Sequence, residues 1–398
     1  MRNVVSWFIQ IKMFLASLLV LLLINVGQSD ARRTEGKLLN IQALWRHGDR
    51  VPIGTYPTDP HQEDAWPVPW GELTTKGMWQ HYKQGLKLKE EYVKKLQFLS
   101  ANYSLHEIYV RSSDTTRTLL SAYSNMAGFY SDSKGTHPNE KEWPKKWSPI
   151  PVHTVKQEND YLIWPLPNCP RLTELQNEQR AYKGFHDFMS DNKDLFDVIQ
   201  QKGQQNITDF LNVYNFANTI MIEKEHNMSI PDWVTDDIYT RAKRMADDGW
   251  DYLYGGAAFG KEQNEELVSL AGGFLINDMI ENMQKKISGE NKYLYHVYSG
   301  HDTTVAALLR ILGAKESILG HSLAGYASVF VVELWNLARD NYAVRLRYSA
   351  NAETPFKTIT DKIAGCPQLE FCPLKTFIEN RQKYVLKDIA KSCAAKSL

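Results

Sequence analysis

The sequence predicts an α/β fold: an open, mostly parallel sheet with helices on both faces, interrupted by an inserted, mainly α subdomain. Three observations predict it. Short β-rich runs end in polar residues and pass at once into helical periodicity. The stretch from about Pro170 to Gln284 is helical almost throughout. Two alternating apolar runs near the C-terminus are joined by a short polar link.

The chain opens with Arg2 and Lys12 ahead of "MFLASLLVLLLINV", an uncharged run from Met13 to Val26, followed by the small and polar residues "GQSDA". This order predicts a cleaved signal peptide over residues 1–30. The run is short for a span, which needs about 20 residues. "KLLNIQALW" then alternates and turns wholly apolar, as a buried strand does. "SLHEIYVRSS" and "NKYLYHVYSGHD" repeat the form. Ser113 or Asp114 can cap a helix through "TTRTLLSAYSNMAGF", and "TTVAALLRILG" reads as a helix stopped by Gly313. Strand followed directly by helix means parallel strands with helical crossovers. "SVFVVELW" and "YAVRLRYS", linked by "NLARDN", read as an added hairpin. The expected division is a discontinuous catalytic domain, 36–165 and 288–398, with a helical cap subdomain at 166–287.

Charge balances at 46 basic and 46 acidic side chains, which excludes a nucleic-acid binder that relies on a basic field. The polar C-terminus carries no tail-anchor or lipid-anchor signal. The four cysteines, Cys169, Cys366, Cys372 and Cys393, allow three pairings. Gly and Pro in "GCPQLEFCPL" favour a local Cys366–Cys372 bridge, which would leave Cys169 for Cys393. A zinc site is the alternative, though no histidine lies near them. Sequons at Asn102, Asn206 and Asn227 behind a signal peptide point to glycosylation.

Three polar clusters fall at predicted strand ends: Arg46, His47 and Arg50 in "RHGDRVP", Arg111 after the second strand, and His301 with Asp302 after the third. Ligands of open parallel sheets bind beyond the carboxyl ends of the strands, so these residues are expected to converge. Three arginines make an anion trap whose forks match phosphate oxygens. Gly48 is expected to let the backbone approach the ligand. A neutral imidazole can take a phosphoryl group, and a carboxyl beside a second histidine can protonate the leaving alcohol. With arginines supplying positive charge, no metal or other cofactor is required. Each cluster also has a plain structural reading. Arg46 and Arg50 could pair with Asp49 or Glu72, Arg111 could make an ordinary ion pair, and Asp302 could be a helix-start charge.

"RHGDRVP" with a distal "SGHDTT" resembles the histidine phosphatase superfamily, branch 2. "GELTTKGMWQHYKQG", "IYVRSSDTTRTLLSAYSNMAG", "PIPVHTV", "NCPRLTEL" and "PDWVTDD" extend the likeness to the histidine acid phosphatases of prostatic and lysosomal type, over about 40–373. The resemblance implies a phosphoglycerate-mutase-like fold and acid hydrolysis of phosphate monoesters through a phosphohistidine. It implies His47 as nucleophile, Asp302 as proton donor, and Arg46, Arg50, Arg111 and His301 as phosphate ligands. It places Trp233 at the substrate entrance, where a core role is the alternative, and Trp147 and His153 at a homodimer contact. It pairs Cys169 with Cys393 and Cys366 with Cys372, a third bridge of prostatic-type enzymes having lost both its cysteines. The C-terminal membrane segment of lysosomal relatives has no counterpart here, so a soluble lysosomal-lumen or extracellular product is expected.

The substrate stays open at this stage: a simple phosphomonoester, phosphotyrosine or a lysophospholipid phosphate. A phytase would want a basic entrance, and "KRMADD" and "KEHN" show no basic excess. A mutase sits badly with a secretory signal. A secreted phosphate-binding glycoprotein is the non-enzymatic alternative, and no basic amphipathic stretch supports a membrane-surface protein.

Overall fold

The sheet is built around β1, Lys37–Arg46, whose residues are buried almost end to end. The structure is a computed structural model describing residues 36–164 and 168–396; the expected signal peptide lies outside the described residues. In chain order β1 is followed by α1 (Thr75–Lys89), β2 (Ile108–Ser112) and α2 (Thr116–Phe129). A helical run follows: α3 (Pro170–Arg180), α4 (Lys183–Asp191), α5 (Lys193–Gly203), α6 (Phe210–Glu225), α7 (Asp236–Leu253) and α8 (Glu265–Ser288). Then come β3 (Tyr295–Gly300), α9 (Asp302–Ile311), α10 (Lys315–Leu319), β4 (Val329–Asn336), β5 (Tyr342–Ser349), β6 (Lys357–Thr358), β7 (Cys372–Pro373), α11 (Leu374–Glu379) and α12 (Ile389–Cys393).

The strand order is β2-β3-β1-β4-β5-β6, with β7 also on β5. β2, β3 and β1 are parallel, and the predicted hairpin, β4 with β5, extends that half antiparallel. Register aligns the strand ends that matter. Arg46 lies opposite Gly300, and Ser112 opposite Ser299. The next residues, His47, His301 and Ser113, therefore emerge along one edge.

Each face of the sheet carries its own core, because strand side chains alternate. Ile41, Ala43, Trp45, Val110 and Val297 face α1 and α2 through Leu88, Met126 and Phe129. Leu44, Tyr298, Phe330 and Val332 face α8 and α9 through Leu275, Met279, Val305 and Leu308. This corrects the sequence division at one helix: α8, read with the insert, is a sheet-packing helix with twelve buried residues. The helical cap proper has a separate core, formed by Leu195, Ile199, Val213, Phe216, Ile220 and Met245. Tyr56, from the loop after β1, fills that core and ties the cap to the first strand. Both cysteine pairs are bridged. Cys169–Cys393 joins the start of α3 to α12, and Cys366–Cys372 closes the loop before β7.

No described helix is long and apolar enough to cross a membrane. Asn102, Asn206 and Asn227 are all exposed.

Candidate active site

His47 sits in the turn leaving β1, 2% exposed, with its backbone N–H donating to Gly300 O at 3.0 Å. Its Nδ1 lies 2.8 Å from the Gly48 carbonyl. A carbonyl only accepts, so Nδ1 carries the hydrogen and the Nε2 lone pair is free. Burial, then the charges of Arg46 and Arg117, hold its pKa well below the ordinary histidine value. Burial and neighbouring positive charge thus favour the neutral ring.

The turn itself is seated on the N-terminus of α1. A Cβ on Gly48 would come within 2.4 Å of Gly77 O. The close approach that glycine permits here is to the α1 backbone, which corrects the expectation that Gly48 makes room for ligand. Gly48 N also donates to Ser121 Oγ at 3.1 Å, fixing the turn to α2.

Arg46 extends from the strand end with Nη1 on Ala324 O at 2.7 Å and Nη2 on Asp302 Oδ2 at 2.9 Å. Its guanidinium lies 4.1 Å from the centre of the Tyr326 ring. Arg50 donates to Val51 O and to Asn218 Oδ1, each at 3.0 Å, and the second contact draws on the cap helix α6. Arg117, in the first turn of α2, completes the cluster. Its pKa is lowered to about 10 by burial and by Arg50, with Asp302 opposing. The Nε atoms of Arg46 and Arg117 are buried and have no acceptor. Three guanidiniums gather here, and only Arg46 is ion-paired with a carboxylate, Asp302, so the pocket suits an anion.

His301 lies at the start of α9 with Nε2 2.8 Å from Ser113 Oγ, its ring 5.7 Å from that of His47. Burial and Arg117 lower its pKa to about 3, so it too is neutral. Asp302 follows at the first position of α9. Burial raises its pKa, but Arg46, Arg50 and His301 outweigh burial and leave it lowered. The walls are aromatic. Trp164 stands edge-on to His301 at 4.6 Å. Tyr214 and Tyr254 each have their pKa raised by burial first and Asp302 second, and Trp250 packs against both.

Two sequence assignments are corrected by this geometry. Arg111 is not in the pocket. It pairs with Asp160 at 3.0 Å and lines a separate cavity with Tyr109 and Tyr298. As the register partner of Tyr298 it points to the α8 face, whereas Arg117, five residues past the strand, projects back toward the strand ends. Trp233 packs half-buried against the cap core, in keeping with the core alternative rather than the entrance reading. It stacks on Phe216 at 5.6 Å and packs edge-on to Tyr56 at 5.8 Å. Trp147 stacks on Trp143, and His153 stacks on Tyr109 while its backbone pairs with the outer edge of β2.

The family model for the histidine phosphatase superfamily (branch 2) matches residues 37–349. The chain belongs to this superfamily. Among curated relatives of this branch-2 histidine phosphatase, human lysosomal acid phosphatase is 33% identical over 384 residues, covering 95% of this chain and 85% of the relative. Bovine prostatic acid phosphatase is 32% identical over 381 residues, covering 95% and 93%. A Hafnia alvei phytase in complex with myo-inositol hexakis sulphate matches with a TM-score of 0.63 and 17% identity, over 91% of this chain and 99% of that one. At that identity the likeness is one of fold. Arg117, Tyr214, Tyr254, Tyr326 and Trp164 adjoin the cluster around His47 and were not read from the sequence. Only Arg117 carried a usable signal, its position one turn into the helix after β2.

Proposed function

We propose that this enzyme is an acid phosphatase that hydrolyses phosphate monoesters through a phosphohistidine on His47. The observation that carries the reading is the free, neutral Nε2 of His47 inside an arginine cluster with unfilled donors. Arg46, Arg50 and Arg117 hold the phosphate, and His301 donates to another of its oxygens. His47 Nε2 forms a bond to phosphorus as the ester P–O bond breaks, and Asp302 gives its proton to the departing oxygen. Water then attacks phosphorus, the P–N bond breaks, and Asp302 takes a proton from that water. The ion pair with Arg46 favours the ionised form of Asp302. Bound phosphate competes for Arg46 and returns the carboxyl toward its protonated form, an effect that acidic pH reinforces.

The aromatic walls, Trp164, Tyr214, Tyr254 and Tyr326, favour a monoester with an aryl or apolar group, such as phosphotyrosine or a lysophospholipid phosphate, over a polyanion such as phytate. Secretion through the 1–30 signal, glycosylation at the three exposed sequons, a place in the lysosomal lumen or outside the cell, and a homodimer across the Trp147–His153 edge complete the proposal. The test is hydrolysis of p-nitrophenyl phosphate, phosphotyrosine, glycerol phosphate, lysophosphatidate and phytate in EDTA between about pH 4 and 8. Acid-favoured turnover in EDTA is expected, with phytate the poorest substrate. No turnover from folded protein would leave a phosphate-binding glycoprotein.

A further inference from the structure

Asp49 sits between the nucleophile and Arg50, yet its side chain points away from the pocket and is fully buried. Three side chains from two other elements hold it. Thr74 Oγ1 donates to Oδ2 at 2.5 Å, and Lys76 Nζ lies 3.5 Å from Oδ1, both at the start of α1. The third is His226, at the end of α6 in the cap. Its Nε2 reaches both carboxylate oxygens, at 2.9 and 3.1 Å. A carboxylate only accepts, so that nitrogen carries the hydrogen. The His226 ring packs edge-on to Trp66 at 5.3 Å, over the small apolar seam of Val51, Trp66 and Ile222.

We propose that His226 is a positioning residue for phosphate transfer: through Asp49 it clamps the His47–Arg50 turn to the cap and holds nucleophile and arginine in register. The inference rests on the phosphatase reading above. It also couples the two halves of the molecule, since the same turn is tied to α6 by Arg50 on Asn218. Without His226, Thr74 and Lys76 alone hold a carboxylate that burial pushes toward its protonated form. With the clamp in place, the hydrogen bonds from His226 and Thr74 overcome burial and keep the Asp49 pKa lowered. The other charged or titratable groups facing the pair are Lys76 from α1, Glu225 from α6 and Tyr326 from the loop before β4.

The test compares His226→Phe, which keeps a ring against Trp66 but has no donor, with His226→Gln, which keeps a donor. Steady-state kinetics against pH and calorimetric binding of inorganic phosphate are read on both. His226→Phe is expected to lose about 10- to 100-fold in kcat/KM, the scale of a small misplacement of reacting groups. Its acid limb should move to higher pH, as Asp49 then takes a proton more readily, and phosphate should bind more weakly. His226→Gln should stay within about threefold of wild type by the same measure. A Gln variant that loses as much as the Phe variant would show that a donor at this position does not preserve activity, and would overturn the clamp. A Phe variant with wild-type profile and phosphate affinity would overturn it as well. If wild type proves inactive the hydrolysis reading fails, but phosphate binding still decides the clamp. Should the Phe variant fail to fold, His226→Leu, likewise without a donor, is compared with His226→Gln at this one-fifth exposed side chain.

Discussion

At His47 one hydrogen bond fixes the tautomer that the proposed chemistry needs. The Gly48 carbonyl takes the Nδ1 hydrogen, and the arginines make a second proton on the ring unfavourable. His47→Ala is therefore expected to abolish turnover while inorganic phosphate still binds, seen by calorimetry. Arg46 favours the ionised form of Asp302, so the acid role proposed for it would show in the leaving group. Asp302→Asn should slow an alkyl phosphate about 100-fold more than p-nitrophenyl phosphate, whose leaving group needs no proton; a leaving-group series checks this. Arg117 and Arg111 separate by the same logic. Arg117→Ala should raise KM and weaken phosphate binding by at least about tenfold, the scale of a charge-assisted hydrogen bond. Arg111→Ala should leave phosphate affinity unchanged and lower stability, because it strands buried Asp160.

Among the elements, α6 does the most to join the two parts. Its residues meet the pocket through Asn218, the catalytic turn through His226, and the loop after β1 through Glu223. Glu223 is fully buried with no donor on either carboxyl oxygen, and it faces Asp59. Two carboxyl groups in contact can be joined only by a proton. Burial first, then Asp59, raises the Glu223 pKa to about 9 from 4.5. The folded protein thus keeps a proton that the unfolded chain releases. This stability is complete below about pH 4.5 and declines as pH rises toward about 9. Wild type should melt at progressively lower temperature across that window. Glu223→Gln, with no proton to lose, should flatten the slope in scanning calorimetry.

For the whole molecule, covalent closure is uneven. Cys169–Cys393 spans a sequence separation of 224, and Cys366–Cys372 a separation of 6. Chain-entropy arguments assign about 5 kcal/mol to the long loop and about 2 kcal/mol to the short one. Replacing Cys169 and Cys393 by serine should lower the melting temperature much more than replacing Cys366 and Cys372, measured by thermal unfolding. The long bridge fastens α12 to α3, where the chain leaves the sheet for the cap.

Much of this was legible in the sequence because it is local. Strand alternation, helix starts, the hairpin and the "RHGDRVP" and "SGHDTT" turns all depend on neighbours a few residues apart. His47, Arg46, Arg50, His301 and Asp302 could be placed at strand ends on that basis alone. The third arginine could not. Arg111 and Arg117 lie six residues apart, and only the register of β2 against β3 sends one to the α8 face and leaves the other at the strand ends. Trp233 reads as an entrance aromatic until Phe216 and Tyr56 are seen against its ring. α8 reads as part of the insert until its buried faces meet the sheet. Periodicity laid out the α/β architecture, residue chemistry pointed to a phosphate site, and the resemblance carried by the two motifs supplied the reaction class. Which polar side chains share the pocket, and which cap residue grips the catalytic turn, is a matter of packing between elements far apart in sequence, and only the tertiary structure decided it.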